Sequence, residues 1–313
     1  MTGKPRIGLI VGDHAGIGPE IVHMTLAHCE GAYTPLVIGN QRLYERSTVG
    51  YVQPSNVAFI NVPAGPDIRP GAVTADSGRL IVDSLERAAD LYRQGAVDML
   101  ILSPITKKAL HAAGSPHDSE FTLFASLFNV PVVQSVIKCN DIYRATVVGH
   151  VPFAKILEHL SAEAIVQTGR NLLAVMRRFH SPNLRMAVAA LNPHAGEDGL
   201  FGDEEARVIS PAIELLRKEG IDVIGPCPAD TVFLKARGGE VGGIVYLYHD
   251  QGNIAMKSAF FGEGVLLYTS VPLPIASVGH GSALDIAGQN RADAGNLIAC
   301  AHALTRLWEE AHP

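Results

Sequence analysis

Short β-rich runs alternate with longer segments of helical period along most of the 313 residues, and this alternation limits the possible folds more than any other feature. Strands are predicted at residues 6–11, 34–38, 97–102, 145–148, 185–191, 223–224 and 243–248. Helices are predicted at residues 19–27, 77–94, 162–179 and 203–219. Strands that are each followed by a helix must be joined by crossovers, so they form a largely parallel sheet covered by helices on both faces. The fold class read from this pattern is α/β. Glycine and proline gather where the strands end, in Gly12-Asp13-His14-Ala15-Gly16-Ile17-Gly18-Pro19, Ser103-Pro104, Asn192-Pro193 and Gly225-Pro226. Strand ends bring loops to a common crevice, so the chemistry is expected there.

Composition narrows the functional classes. With 47% hydrophobic residues the chain can bury a large core, and its length suits one large domain or two ordinary ones. Charged residues make up 18%, and the formal net charge of −6 offers no basic surplus for a phosphodiester backbone, so no nucleic-acid partner is expected. No apolar run approaches the roughly 20 residues that span a bilayer, and the N-terminal run is too short for a signal peptide. The expectation is a cytoplasmic protein without a membrane partner. Cys29, Cys139, Cys227 and Cys300 form no C-x-x-C pair and are read as reduced thiols.

The loop from Gly12 to Pro19 follows a strand and opens a helix, a setting that can bind anions. Its spacing is not G-x-G-x-x-G, however, and no acidic residue closes a second strand about 20 residues later. It is read mainly as a tight turn with Pro19 and Glu20 in the first helical turn, leaving Asp13 and His14 as groups that can face a cleft.

Three histidines stand just past β-like runs: His150, His194 and His249. Three imidazole donors leave coordination positions open for a substrate chelate, as a catalytic metal site requires. For any one of them a hydrogen-bonded loop histidine is the bland alternative. Asp230 and Asp250 are candidate acid–base groups or orienting partners for a ligating imidazole, or else helix caps. Lys257 can supply positive charge or a proton where an alkoxide or enolate forms, or else be a solvated lysine.

The run His280-Gly281-Ser282-Ala283-Leu284-Asp285-Ile286-Ala287-Gly288 resembles the adenosine-binding loop of the isopropylmalate and isocitrate dehydrogenase superfamily. The resemblance implies that His280, Gly281, Ser282, Ala283 and Asp285 bind the cofactor, with Asp285 favouring NAD over NADP because a carboxylate repels the 2′-phosphate. Further segments resemble one branch, the PdxA-type 4-hydroxythreonine-4-phosphate dehydrogenases. They are residues 12–20, where that family usually has proline in place of His14, then 191–205, 225–233 and 248–252.

This resemblance implies a two-domain isocitrate/isopropylmalate dehydrogenase-like fold with the active site in the interdomain cleft. Residues 1–125 with 270–313 would bind the cofactor, and 126–269 would bind metal and substrate and dimerise. It implies an obligate homodimer in which His150 and His194 of one subunit join His249 of the other around a divalent metal, zinc first, with magnesium, manganese or cobalt as alternatives. The resemblance also implies that Asp230 and Lys257 line the reaction centre; with Asp250, next to His249, they are the candidate catalytic residues. The implied activity is NAD-dependent oxidation of a secondary alcohol in a small hydroxy acid, with decarboxylation as an optional second step.

The positions that hold the substrate's phosphate in that family differ here. Where it reads Gly-His-Thr-Glu, this chain has His117-Asp118-Ser119-Glu120, and Leu266 and Ile275 stand in place of its Asn and Arg. Losing a charge-assisted contact costs about 1.5–3 kcal/mol, and Asp118 adds repulsion. The substrate is therefore expected to be non-phosphorylated or otherwise altered, with Asp118, Ser119, Leu266 and Ile275 as its candidate neighbours. The last loop resembles that of dihydrodiol carboxylate dehydrogenases. Residues 199–205 and 225–228 resemble instead the branch that oxidises 4-phosphorylated threonate or erythronate. A metal-dependent hydrolase and a non-catalytic small-molecule binding protein are the rival classes.

Overall fold

A computed structural model describes residues 3–52, 57–260 and 262–312. The chain forms two compact units, Met1–Gln134 together with Val265–Pro313, and Ser135–Gly264. In chain order the first unit opens with β1 (Arg6–Ile10), α1 (Gly18–His28), β2 (Thr34–Gly39), α2 (Gln41–Ser47), β3 (Ala58–Asn61), α3 (Ala75–Arg93), β4 (Met99–Leu102), α4 (Lys107–Ala112) and α5 (Glu120–Phe128). The second unit holds β5 (Ser135–Cys139), β6 (Ile142–Val148), α6 (Ile156–His159), α7 (Ala162–Arg178), β7 (Met186–Ala189), α8 (Ser210–Lys218), β8 (Val223–Cys227), α9 (Val232–Arg237), β9 (Gly243–Tyr248) and α10 (His249–Ala259). β10 (Val265–Tyr268), β11 (Ile275–Val278) and α11 (Gly295–Ala311) then complete the first unit.

The strand order in the first unit is β3-β2-β1-β4-β11-β10, and in the second β5-β6-β9-β7-β8. All pairings within these units are parallel except β10 with β11 and β5 with β6. The fold is thus α/β with a mostly parallel arrangement. The division of the chain differs from the expected boundaries at 125/126 and 269/270. β10 pairs with β11, and residue 134 is tied to residue 269 by Thr269 N donating to Gln134 O at 2.9 Å and Gln134 N donating to Thr269 Oγ1 at 3.1 Å. Residues 126–134 and 265–269 therefore belong to the first unit.

Side-chain alternation lets one strand feed two cores. Ile10, Ile38, Leu100, Leu102 and Ile275 pack with Leu80, Ile81 and Leu85 of α3. The intervening Leu9, Ile101 and Ala276 are just as buried on the other face, where α11 lies on β4, β10 and β11. α3 starts two residues before its predicted start because Thr74 caps it, accepting from Ser77 N while the Ser77 hydroxyl accepts from Thr74 N. The segment predicted as one helix over 203–219 is divided. Pro211 cannot donate a backbone hydrogen bond, and a π turn at Glu205–Ile209 precedes α8. All four cysteines are free and buried. Among the described residues no helix is long and apolar enough to cross a membrane.

The glycine-rich first loop serves packing. A Cβ on Gly18 would stand 2.1 Å from Val11 O, and one on Gly16 would stand 2.5 Å from Ser282 O. Asp13 and His14 do not face a cleft surface, since they are 0% and 3% exposed. His14 Nδ1 donates to Gly12 O at 3.3 Å and Nε2 accepts from Asn40 N at 3.0 Å, an arrangement that only the neutral ring satisfies. Burial pushes its pKa down to about 4.

Two outcomes follow from this loop. Gly18→Ala must separate β1 from α1, and the expected loss is about 1–3 kcal/mol in urea unfolding. For His14, the unfolded chain takes a proton below pH 6.5 that the folded chain refuses until about pH 4. Its contribution is complete above pH 6.5 and falls by about 3 kcal/mol as the pH drops through that window. Urea titrations at pH 7 and pH 4.5 should show a smaller acid loss in His14→Gln than in the parent chain.

Candidate active site

The parallel pairing of the second unit places the three histidines beyond the same end of its strands. β6 and β7 flank β9, Val148 lies opposite Tyr248, and Val188 lies opposite Val245. Residues 150, 194 and 249 therefore follow the C-terminal ends of three adjacent strands. The rings of His150 and His249 stand with centroids 5.0 Å apart in the same chain, a proximity the resemblance does not imply. His194 packs near Phe201, with ring centroids 6.4 Å apart. Among the described residues of a single chain, no three His, Cys, Asp or Glu side chains are grouped as a metal cage.

Each histidine is set up differently. His249 opens α10, and its Nδ1 donates to Asp250 Oδ1 at 2.7 Å. A carboxylate only accepts, so Nδ1 is the donor, and in the neutral ring this tautomer leaves the Nε2 lone pair for a ligand bond. His194 begins a run of five left-handed residues, with φ of 54°, 57°, 80°, 42° and 53° from His194 to Asp198. Such backbone costs about 1–2 kcal/mol for each non-glycine residue, so something must hold it. Glu205 anchors the chain that enters it: its buried carboxylate accepts from Leu191 N at 2.9 Å, Asn192 N at 2.8 Å and Asn192 Nδ2 at 2.9 Å. Gly196 leaves room for it, since a Cβ there would lie 2.9 Å from Glu205 Oε2. The donor set, with imidazoles at strand ends and one carboxylate-oriented ring, fits a divalent metal.

Asp230 is exposed in the turn before α9, and its neighbour Thr231 takes the cap position. Lys257 is exposed in the last turn of α10, eight residues beyond His249. At 1.5 Å rise per residue their Cα atoms are about 12 Å apart, within reach of a shared substrate for a long lysine but not of direct contact. One residue missed at the sequence level, Gln251, fixes the strand ends. Gln251 accepts from Leu247 N at 2.8 Å and donates to Ala190 O at 2.7 Å, stitching the end of β9 to that of β7.

In the first unit, the loop that follows β11 is docked on the glycine-rich loop. Ile17 N donates to Ser282 O at 3.0 Å, and Thr106 Oγ1 donates to Ser282 Oγ at 2.9 Å. Buried Glu20 accepts from Gly288 N at 3.1 Å and Asn290 N at 2.9 Å. Ala283 adopts a positive φ of 42°. His280, Gly281 and Asp285 are exposed, with His280 Nδ1 donating to Gly281 O at 3.0 Å and Asp285 O accepting from Gln289 Nε2 at 2.8 Å. Glu20 is the residue that sequence reading treated only as a first-turn acid.

The residues proposed to meet the substrate divide into two kinds. Ser119 caps α5, and Asp118 Oδ1 accepts from Ser119 Oγ at 3.0 Å and from Thr122 Oγ1 at 2.9 Å. The Thr122 and Ser119 hydroxyls hold the Asp118 carboxyl below the ordinary range, so it is anionic at neutral pH. Next to it, burial raises the pKa of Glu120, which accepts from Tyr268 Oη at 3.5 Å through Oε1 while Oε2 has no partner. Ile275, at 1% exposure, lies within the apolar core, and Leu266 packs against that core.

The sequence profile described as pyridoxal phosphate biosynthetic protein PdxA matches residues 22–304. The chain is similar to D-threonate 4-phosphate dehydrogenase of Pectobacterium atrosepticum, with 34% identity over 91% of this chain and 94% of that one. The solved structure of 4-hydroxythreonine-4-phosphate dehydrogenase from Klebsiella pneumoniae superposes with a TM-score of 0.86 at 32% identity, covering 97% of this chain and 98% of the other. A terephthalate 1,2-cis-dihydrodiol dehydrogenase from Burkholderia xenovorans superposes with a TM-score of 0.66 at 27% identity, covering 97% and 98%. With a profile match over most of its length and relatives above 30% identity, the chain belongs to the PdxA family.

Proposed function

We propose that the chain is an NAD-dependent, divalent-metal-dependent dehydrogenase that oxidises the secondary hydroxyl of a small, non-phosphorylated hydroxy acid. The observation that carries this reading is the placement of His150, His194 and His249 at the ends of three adjacent parallel strands, with Asp250 leaving Nε2 of His249 available. These histidines would hold the metal. A bound divalent ion lowers the pKa of a chelated hydroxyl and stabilises an enolate if decarboxylation follows. Asp230 and Lys257 would take up and return protons at the substrate oxygens, and Asp250 would keep the His249 ring in one tautomer. Ser282, Ala283 and Asp285, with His280 and Gly281, would hold the adenosine end of NAD on a loop that Glu20 and Ile17 anchor. In this reading the site is shared in a homodimer, with His249 completing the set supplied by a second copy.

Asp118 supports the non-phosphorylated substrate. An ionised carboxylate held against the first turn of α5 repels a phosphate at the place where an anion would otherwise be stabilised. Ile275, enclosed among aliphatic side chains, supplies no cation. A 4-phosphorylated substrate is the second reading, favoured by the likeness to the Pectobacterium and Klebsiella proteins.

NADH formation should appear with zinc, magnesium, manganese or cobalt, and unphosphorylated hydroxy acids and dihydrodiols should react better than their phosphorylated counterparts. A clear preference for phosphorylated acids sinks the substrate assignment, and absence of NAD binding in calorimetry sinks the dehydrogenase reading. His249→Ala should abolish turnover while leaving NAD affinity unchanged. Inactive His194→Ala and His249→Ala chains, mixed and refolded together, should regain about a quarter of the parent activity. Half of the randomly formed dimers are mixed, and each keeps one of two intact sites.

A further inference from the structure

Arg144 occupies β6 with 5% of its surface exposed, and it forms no ion pair among the described residues. A buried, uncompensated guanidinium is costly, and a leucine would fill a strand position without that cost. Burial accordingly lowers its pKa to about 10. Its bonds show what the charge is used for. Nη1 donates to Thr146 Oγ1 at 2.7 Å, and Nη2 donates to Asn253 Oδ1. Nε has no acceptor, so the head group is not placed for its own satisfaction.

Asn253 passes the connection on. Its Nδ2 donates to the main-chain oxygen of His249 at 3.1 Å, across one turn of α10. Gly252 permits the close approach: a Cβ there would stand 2.6 Å from Cδ2 of Tyr246 and 3.3 Å from Cδ of Arg144. The first turn of α10 is thereby drawn onto the sheet over Arg144. The direction of the His249 imidazole depends on two things, its ring partner and its backbone. Asp250 fixes the first.

We infer that Arg144 and Asn253 are positioning residues that fix the backbone of His249, so that β6 sets the aim of this imidazole. The inference rests on the reading of His249 as a metal ligand. Arg144 touches neither substrate nor metal. Its effect runs through Asn253 to one carbonyl.

The test is titration of the full-length protein with cobalt(II) in a calorimeter, for the parent chain, Arg144→Met, Asn253→Leu, their double variant and His249→Ala. Arg144→Met and Asn253→Leu should each weaken cobalt binding by about tenfold to a hundredfold, the range found when an outer partner of a ligand is removed. The double variant should bind no more weakly than the weaker single one, because both act on one link. NAD affinity should be unchanged in all of them. Losses that multiply in the double variant, or parental cobalt affinity in folded Arg144→Met and Asn253→Leu, overturn the link. If Arg144→Met does not fold, Asn253→Leu alone decides, since it removes the bond to His249 and leaves the guanidinium in place. Loss of cobalt binding in His249→Ala alone refutes the positioning role and keeps the ligand reading. Parental binding in His249→Ala refutes both.

Discussion

Parallel pairing of β6, β9 and β7 is the constraint on which the rest of the second unit depends. Parallel strands deliver their C-terminal ends to one edge, and a register that puts Val148 opposite Tyr248 and Val188 opposite Val245 starts the following segments at nearly the same level. Histidines distant in sequence come to follow adjacent strands for that reason alone. Each then needs its own local device, because a strand end fixes position but not direction. At His249 it is helix α10 with Asp250, and at His194 it is a left-handed turn whose entry Glu205 anchors. Gln251 adds a tie between the two strand ends.

The same logic operates in the first unit, where hydrogen bonds fix a loop that follows a strand. The loop after β11 has almost no regular structure, yet main-chain and side-chain bonds to Ile17, Thr106 and Glu20 hold it. Two buried carboxylate–amide contacts from Glu20 are each worth about 1.5–3 kcal/mol when charge-assisted, enough to keep residues 288–290 in one place. The glycines of residues 12–18 have the complementary task of letting that loop and β1 come close. The glycine-rich stretch, read from sequence mainly as a tight turn, is thus the seat of the loop proposed to bind the cofactor.

Much of this was legible in the sequence where periodicity is strong. The strands at 6–10, 34–39 and 243–248 and the helices at 75–93 and 162–178 carry clear apolar periods. Elements that periodicity missed have physical reasons for being faint. α10 starts at His249 without a capping side chain and contains Gly252, so its first turn reads as a loop, and packing on Tyr246 and Arg144 makes it a helix. β10 and β11 are four residues each and are stabilised by pairing that is remote in sequence. The histidines were visible as strand-end residues. Arg144, Asn253, Glu205 and Gln251 were not, since their roles lie in hydrogen bonds between segments that only the folded chain brings together.

Positions 144 and 275 show how the core limits what a site can become. At 144 a guanidinium is buried, and it persists because Thr146 and Asn253 present oxygens to it. Ile275 is also buried in a strand, paired with Leu100 and enclosed with Leu102, Leu123 and Phe124, none of which offers a side-chain acceptor. Restoring an arginine at 275 would place an unpaired cation among aliphatic and aromatic groups, a change that costs several kcal/mol before any substrate is met. Leu266 packs against the same core, so a polar side chain at either position meets the apolar interior of the first unit. Asp118 differs because it is exposed and its bonds are local to the α5 cap. Of positions 118, 266 and 275 it is the one where charge can change without repacking the core.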